Sequence, residues 1–389
     1  MRIAMLPTPD LLCETGSTVH ALLVAGRLAA AGHDVHVFAK NHPDGIAGTT
    51  FHDLPLRLVH PALVDRPISD GELWDCVSVL SAAVLREHAR ARFDAMHAHY
   101  ATVTGFAALT TNVISGIPFA VSCFGRDLNI GARLDPRYER MVRLVVGRAA
   151  AVIAADDDIY QTLARDYQVD GRRLFTVPMG LDEELFSAQS AHLVPTRPLG
   201  QRPRVVNVSS CFAPEKGLDV LLRAVKEVRD SGLEVAVVIA GDDDHDDKVH
   251  LRHLNDVLTD LCLEDAVTLP GRVSHRDIPA LLASSDVFVD TRTVGNFSSA
   301  TLEALFAAPC VVASDVPGNR RWIECGRNGL LFHSGDSTDL ARALSRVLRD
   351  EPLRLSLQDG RRVWQNREGF KWGAATMVDR LVEIYREIC

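Results

Sequence analysis

No stretch of the 389 residues approaches the roughly eighteen uninterrupted apolar positions that a membrane-crossing helix needs, so none is expected. Excess positive charge is missing too. Against 42 Lys and Arg stand 51 Asp and Glu, a net charge of −9, which argues against nucleic acid as the main partner. The eight cysteines form no C-x-x-C pair, and Cys123, Cys211 and Cys310 lie within or beside apolar strand-like runs. They read as reduced core thiols of a cytoplasmic protein. The chain enters a strand directly at Arg2-Ile3-Ala4-Met5-Leu6, which is not the pattern of a signal peptide. No internal repeat, low-complexity tract or heptad period occurs. A Gly-x-Gly-x-x-Gly fingerprint is also absent: Glu14-Thr15-Gly16-Ser17 is one glycine short, which argues against a Rossmann dehydrogenase.

What is present is an alternation of apolar strand runs and helix-period segments, the signal of α/β architecture with parallel sheets. The length exceeds what one core normally serves, so two doubly wound domains are expected. Strands are read near 2–6, 34–38, 94–98, 119–123, 151–154 and 174–177, then near 204–209, 235–240, 266–269, 286–290 and 310–313. Gly16-Ser17 caps a helix ending near Gly32. The segment 191–203, with Pro195, Pro198 and Pro203, reads as the linker between a domain 1–190 and a domain 204–371. Residues 372–389 are helical in pattern. Facing doubly wound domains would bring both sets of strand C-termini to one cleft, where such folds bind ligands.

The segment Gly295-Asn296-Phe297-Ser298-Ser299-Ala300-Thr301-Leu302-Glu303 follows a strand end and opens a helix. Unpaired N–H groups and the positive dipole end make a helix start a phosphate site. Glu303, one turn in, suits two neighbouring hydroxyls such as those of a ribose. Lys216, in Pro214-Glu215-Lys216-Gly217, stands at another helix start, where a cation is unfavourable unless an anion binds. Together they describe a nucleoside-diphosphate site. A solvated helix start and an exposed lysine are the plain alternatives. The run Asp242–Asp247 reads as a solvated loop capping the next helix, not as a metal site, since its spacing fits no calcium loop. The stretch 126–148 holds six arginines against three acids and reads as a solvated helix face, with membrane contact the lesser reading.

At these residues the chain resembles the retaining glycosyltransferases of the GT-B fold, family 4. Four further segments carry the resemblance: Asp94-Ala95-Met96-His97-Ala98-His99-Tyr100, Phe124-Gly125-Arg126-Asp127, Val177-Pro178-Met179-Gly180-Leu181-Asp182 and Asn328-Gly329-Leu330-Leu331-Phe332. The resemblance implies a last helix, 372–389, that returns to the N-terminal domain. It implies a donor site of Lys216, Arg272, Val273, Arg292, Asn296, Phe297, Ser298, Ser299, Ala300, Thr301 and Glu303, with Gly16 and Ser17 reaching it from the first loop. It implies an acceptor site of Glu14, Thr15, His99, Arg126 and Asp127, and catalytic roles for Lys216, Glu303, His99 and Asp127. No cofactor or metal is implied; the nucleotide sugar is a co-substrate, and the acceptor is small and polar. His97 and His99 alternate at the end of their strand and are read as pointing to opposite faces, His99 to the ligand and His97 to the interior. Asp127 has a turn residue as its competing reading.

The family pattern is broken at four places. Gly295 stands where the family has its first Glu, Cys211 where an Arg commonly joins the Lys, Phe124 for His and Met179 for Asn. Arg292 is read as replacing part of the lost positive charge. The expected activity is a retaining, metal-independent glycosyl transfer to a small polar acceptor, with an altered-ring or broadly tolerated donor, as in aminoglycoside-like specialised metabolism. The alternatives are a pseudo-glycosyltransferase that only binds sugar nucleotides and a GT-B epimerase or phosphorylase.

Overall fold

The computed structural model describes residues 1–7, 16–40, 56–59, 70–125, 127–128, 136–190, 202–243, 248–295 and 297–389. Thirteen described strands fall into two sheets, every pairing parallel. The first holds β1 (Arg2–Leu6), β2 (Asp34–Lys40), β3 (Leu56–Val59), β4 (Ala95–His99), β5 (Phe119–Cys123), β6 (Ala151–Ala154) and β7 (Leu174–Thr176). The second holds β8 (Arg204–Val208), β9 (Ala236–Ala240), β10 (Val267–Thr268), β11 (Val287–Asp290), β12 (Val311–Ser314) and β13 (Leu330–Phe332). Strand orders are β3-β2-β1-β4-β5-β6-β7 and β10-β9-β8-β11-β12-β13. Both are doubly wound, and the order reverses between β1 and β4 in one sheet and between β8 and β11 in the other.

Parallel strands buried on both faces need apolar side chains at every position, which is why these runs were visible as near-continuous Val, Ile and Ala. Along β11, Val287 and Val289 pack with Leu221, Val225 and Leu344 on one face. Phe288 between them packs with Leu302, Leu305, Trp322 and Phe186 on the other. Burying one such large side chain stabilises by about 1.5–3 kcal/mol. Two strands, β3 and the three-residue β13, have no counterpart among the runs read as strands from the sequence pattern. Leu-Arg-Leu-Val is short and interrupted by a charge, and it gains its identity from pairing Leu56, Arg57, Leu58 and Val59 with β2.

The chain forms two compact units, Met1–Gly180 with Ala374–Cys389, and Leu181–Gly373. The division thus falls after Gly180 and not at the boundary read at residue 190, while residues 191–201 of the linker read at 191–203 lie outside the described residues. The helix Glu183–Ser190 belongs to the second unit, anchored by the fully buried Phe186. The change of unit falls in the turn after β7, where Leu181 donates its N–H to the Trp372 carbonyl at 2.7 Å. Tertiary packing, not proline content, sets the division. The helix Ala374–Ile388 buries Met377, Val378, Leu381 and Tyr385 against Val24, Leu28 and the β1–β2 face of the first unit. Among the described residues, no helix is long and apolar enough to cross a membrane, and Cys123, Cys211, Cys262, Cys310, Cys325 and Cys389 are free thiols.

Candidate active site

The loops after β8 and β11, on either side of the second sheet's reversal, are stitched together. Thr291 Oγ1 donates to the Lys216 carbonyl at 2.8 Å, and the Thr293 N–H to the Glu215 carbonyl at 2.8 Å. Gly217 makes the approach possible: its φ is +62°, and a Cβ there would lie 2.3 Å from the Thr291 oxygen. The Lys-Gly pair noted in the sequence therefore places Lys216 beside a glycine that packing requires.

Lys216 ends the short turn Pro214–Lys216, just ahead of the helix Leu218–Asp230, and is half-buried. It has no ion-pair partner among the described residues. Burial first, and then the charge on Arg292, pull its ammonium below the ordinary lysine range, against the opposing effect of Cys211, Asp290 and Glu215. The cation is therefore held beside another cation, an arrangement that an arriving anion relieves.

Arg292 is the second cation. Its Nε donates to Asp290 Oδ2 at 2.8 Å and a terminal nitrogen donates to the Phe297 carbonyl at 2.7 Å. Burial works against the Asp290 carboxylate, but Arg292, the Ser298 hydroxyl, the Arg292 backbone N–H and the Thr301 hydroxyl together hold its pKa below the usual range. Ser298 Oγ lies 2.7 Å and Thr301 Oγ1 2.8 Å from Asp290 Oδ2, and Thr301 Oγ1 is 2.9 Å from Asn319 Oδ1. All four residues of this knot are buried.

The helix Ser299–Ala307 starts from this knot, with Ser298 Oγ accepting the Thr301 N–H at 3.1 Å. Ser298 and Thr301 are fully buried, and their hydroxyls are engaged with Asp290 and with each other. The N–H groups of Ser299 and Ala300 have no partner among the described residues and are half-buried, so they keep the open positive end of the helix. Phe297 packs its ring against Trp322, centroids 5.4 Å apart. Arg272 is exposed and donates to the Ser210 carbonyl at 3.2 Å, while Val273 packs against the core cluster that includes Leu302. Asn296 lies outside the described residues.

Glu303, one turn into this helix, is nearly buried, and its Oε1 lies 3.0 Å from His275 Nε2. Nothing in the sequence reading pointed to His275. A lone histidine in a loop gives no periodic signal, and its partner is 28 residues away. Asp290 and Asn319 were missed for the same reason, since a polar residue ending a strand or opening a turn is ordinary.

Gly295 has φ +132°, a conformation side-chain-bearing residues rarely adopt, and a Cβ there would lie 3.4 Å from an Arg292 terminal nitrogen. The position that carries a glutamate in the family pattern is here shaped for glycine. Asp242 and Asp243 of the acidic run are described. Asp243 accepts the His250 and Leu251 N–H groups at 2.6 and 3.0 Å and caps the helix Val249–Asp260, and Asp242 pairs with Lys248 at 3.2 Å. Residues 244–247 lie outside the described residues.

In the first unit, β4 ends at its sheet's reversal with His97 and His99. Their ring centroids are 4.5 Å apart, which overturns the expectation that they face opposite ways. Residues two apart on a strand share a face. His97 is fixed between Ser122 Oγ at 2.8 Å and Tyr385 Oη at 2.6 Å. His99 is fully buried, stacked on Phe124 at 5.7 Å and near His20 at 5.5 Å, and neither of its nitrogens is bonded. Burial drives all three imidazoles to the neutral form: His20 to about 4, His97 to about 3 and His99 well below its ordinary value.

Asp127 accepts the N–H groups of Ala101 (3.1 Å), Gly125 (3.1 Å) and Phe124 (3.3 Å), tying the β5 loop to the β4 loop. Burial raises its pKa against these bonds. That is the work of a turn residue. Gly16 and Ser17 open the helix Gly16–Ala30 and are half-buried. Glu14, Thr15 and Arg126 lie outside the described residues.

Two doubly wound units, the last helix returned to the first, and cations beside an open helix start at the second sheet's reversal define the class: a GT-B protein. A solved Anabaena structure, HepE in complex with UDP-glucose, has the same fold, with a TM-score of 0.78 at 19% identity, covering 100% of both chains. Residues 15–185 match the family described as Glycosyltransferase Family 4, and residues 196–364 the family described as Glycosyl transferases group 1. The chain belongs to these GT-B glycosyltransferases. A D-inositol 3-phosphate glycosyltransferase of Stackebrandtia nassauensis is 28% identical over 369 residues, 89% of this chain and 81% of that protein. An alpha-D-kanosaminyltransferase of Streptomyces kanamyceticus is 27% identical over 258 residues, 65% of this chain and 64% of that protein.

Proposed function

We propose that this glycosyltransferase moves a sugar from a nucleoside-diphosphate donor to a small polar acceptor with retention of configuration and without a metal. The observation that carries the reading is the pairing of Lys216 with Arg292 beside the open N–H groups of Ser299 and Ala300. Two cations and a helix dipole neutralise a diphosphate leaving group, the role a metal ion would otherwise fill. Glu303 accepts the ribose hydroxyls.

In the reaction the bond from C1 to the diphosphate oxygen breaks and the bond from C1 to the acceptor oxygen forms on the same face. The acceptor's proton passes to the departing phosphate oxygen. The protein then needs to hold acceptor and donor together and to stabilise charge on the leaving group, so no side-chain nucleophile is required. Phe124 in place of a histidine is compatible with that chemistry.

A small polyol or amino-sugar context is supported by the names of the relatives, an inositol 3-phosphate glycosyltransferase and a kanosaminyltransferase. Gly295, with no carboxylate to engage the donor ring, supports a modified ring such as a deoxy or amino sugar. The test is turnover by purified protein over a panel of UDP-, GDP-, ADP- and dTDP-sugars with polyol acceptors, in EDTA, with the product anomer assigned by NMR. Retained configuration with full activity in EDTA is expected. An inverted product, or activity lost in EDTA and restored by Mg²⁺, would overturn the mechanism.

A further inference from the structure

We infer that His275 is a positioning residue for the nucleoside, holding Glu303 so that its free oxygen meets a ribose hydroxyl. The inference rests on the reading of Glu303 as the ribose acceptor. An ionised carboxylate only accepts, so His275 must donate through Nε2 to Glu303 Oε1, 3.0 Å away. That commits one carboxylate oxygen and leaves Oε2 for the ligand. The histidine is itself held. It opens the turn His275–Asp277 that leads into the helix Ile278–Ala283, and its ring lies 5.7 Å from that of the fully buried Phe186.

A free glutamate side chain has several rotamers and loses them on binding a sugar. Here both side chains are mostly shielded, His275 at 22% and Glu303 at 12% exposed, and the pair is formed before any ligand arrives. A carboxylate set in advance at one angle favours a sugar that carries a hydroxyl at the matching place. His275 therefore sets the preference for ribo- over 2′-deoxyribonucleotides as well as the affinity.

The experiment is calorimetric titration of the full chain with UDP and GDP, each beside its 2′-deoxy counterpart. His275→Ala should weaken the ribonucleotide about five- to tenfold, the net scale of one ordinary hydrogen bond. The deoxy form should weaken less, so that the preference narrows. His275→Gln, which keeps an N–H donor, should recover part of the loss, and His275→Ala added to Glu303→Ala should change nothing further. In turnover the donor KM should rise by more than kcat falls. Equal weakening of both sugars, or a loss that adds to that of Glu303→Ala, would show that the ring serves packing alone and overturn the inference. Unchanged binding in Glu303→Ala would instead remove the ribose reading on which it rests.

Discussion

Replacing Lys216 by alanine acts in opposite directions on the empty and the occupied protein. In the empty protein the ammonium is half-buried beside Arg292, and its pKa lies below the 10.5 of an ordinary lysine. Between the lowered value and 10.5 the unfolded chain holds the proton more firmly than the folded one. Stability contributed at this position therefore rises with pH through that window, and the charged form is a burden below it. Alanine removes the burden, so the ligand-free Tm should hold or rise.

Nucleotide binding should suffer. A charge-assisted contact is worth about 2 kcal/mol, which weakens Kd about thirtyfold. At a nucleotide concentration of about 100 Kd, the wild-type second unit gains about 2.7 kcal/mol; the variant gains about 0.9. With an unfolding entropy of about 0.4 kcal/mol per kelvin for a unit of this length, the ligand-induced Tm gain falls from about 7 °C to about 2 °C. Thermal-shift assays with and without nucleoside diphosphate measure both effects on one plate. A variant that loses ligand-free stability yet keeps the full nucleotide gain would refute the reasoning, because Lys216 would then be a structural lysine.

Acid should weaken the first unit, because His20, His97 and His99 are neutral in the fold and titrate near 6.5 when unfolded. The unfolded chain takes up more protons, so stability falls as pH drops from about 6.5 towards 4. Urea titrations across that range should show it, and His20→Phe should flatten the slope if the fold tolerates the ring. Gly295→Ala should cost about 1–3 kcal/mol through its positive φ. Gly295→Glu should raise the donor KM and not restore a preference for an unmodified hexose; a fully stable Gly295→Glu with improved hexose turnover would defeat the conformational argument.

The sheets were legible because a strand buried on both faces announces itself residue by residue. Lys216 was legible by a different logic, as a cation on the wrong end of a helix dipole. Glu303 became legible only beside it. Their supports were not: His275, Asp290 and Asn319 have meaning only through partners brought close by the fold. The division between units was misread because proline and polar residues mark a poorly patterned segment. A crossing between cores can be short and apolar. Gly180 lies against Ala374 and Met377, and Leu181 meets Trp372, so both crossings are packed turns without linker composition. The two histidines of β4 were misjudged in their shared face, although the period of a strand alone determines it.

The return of Ala374–Ile388 to the first unit has a consequence for synthesis. As the chain leaves the ribosome, the first sheet appears early, but the helix that covers its β1–β2 face and brings Tyr385 to His97 emerges only after all of Leu181–Gly373. The second unit has every residue of its own core first and is the one able to close during translation. Until the final helix docks, Val24, Leu28, Val35 and Val37 lack their last cover, and the His97 ring lacks its phenol. Chains cut short before residue 374 would carry a finished second unit and an open apolar wound in the first, a species for chaperones or proteases to find.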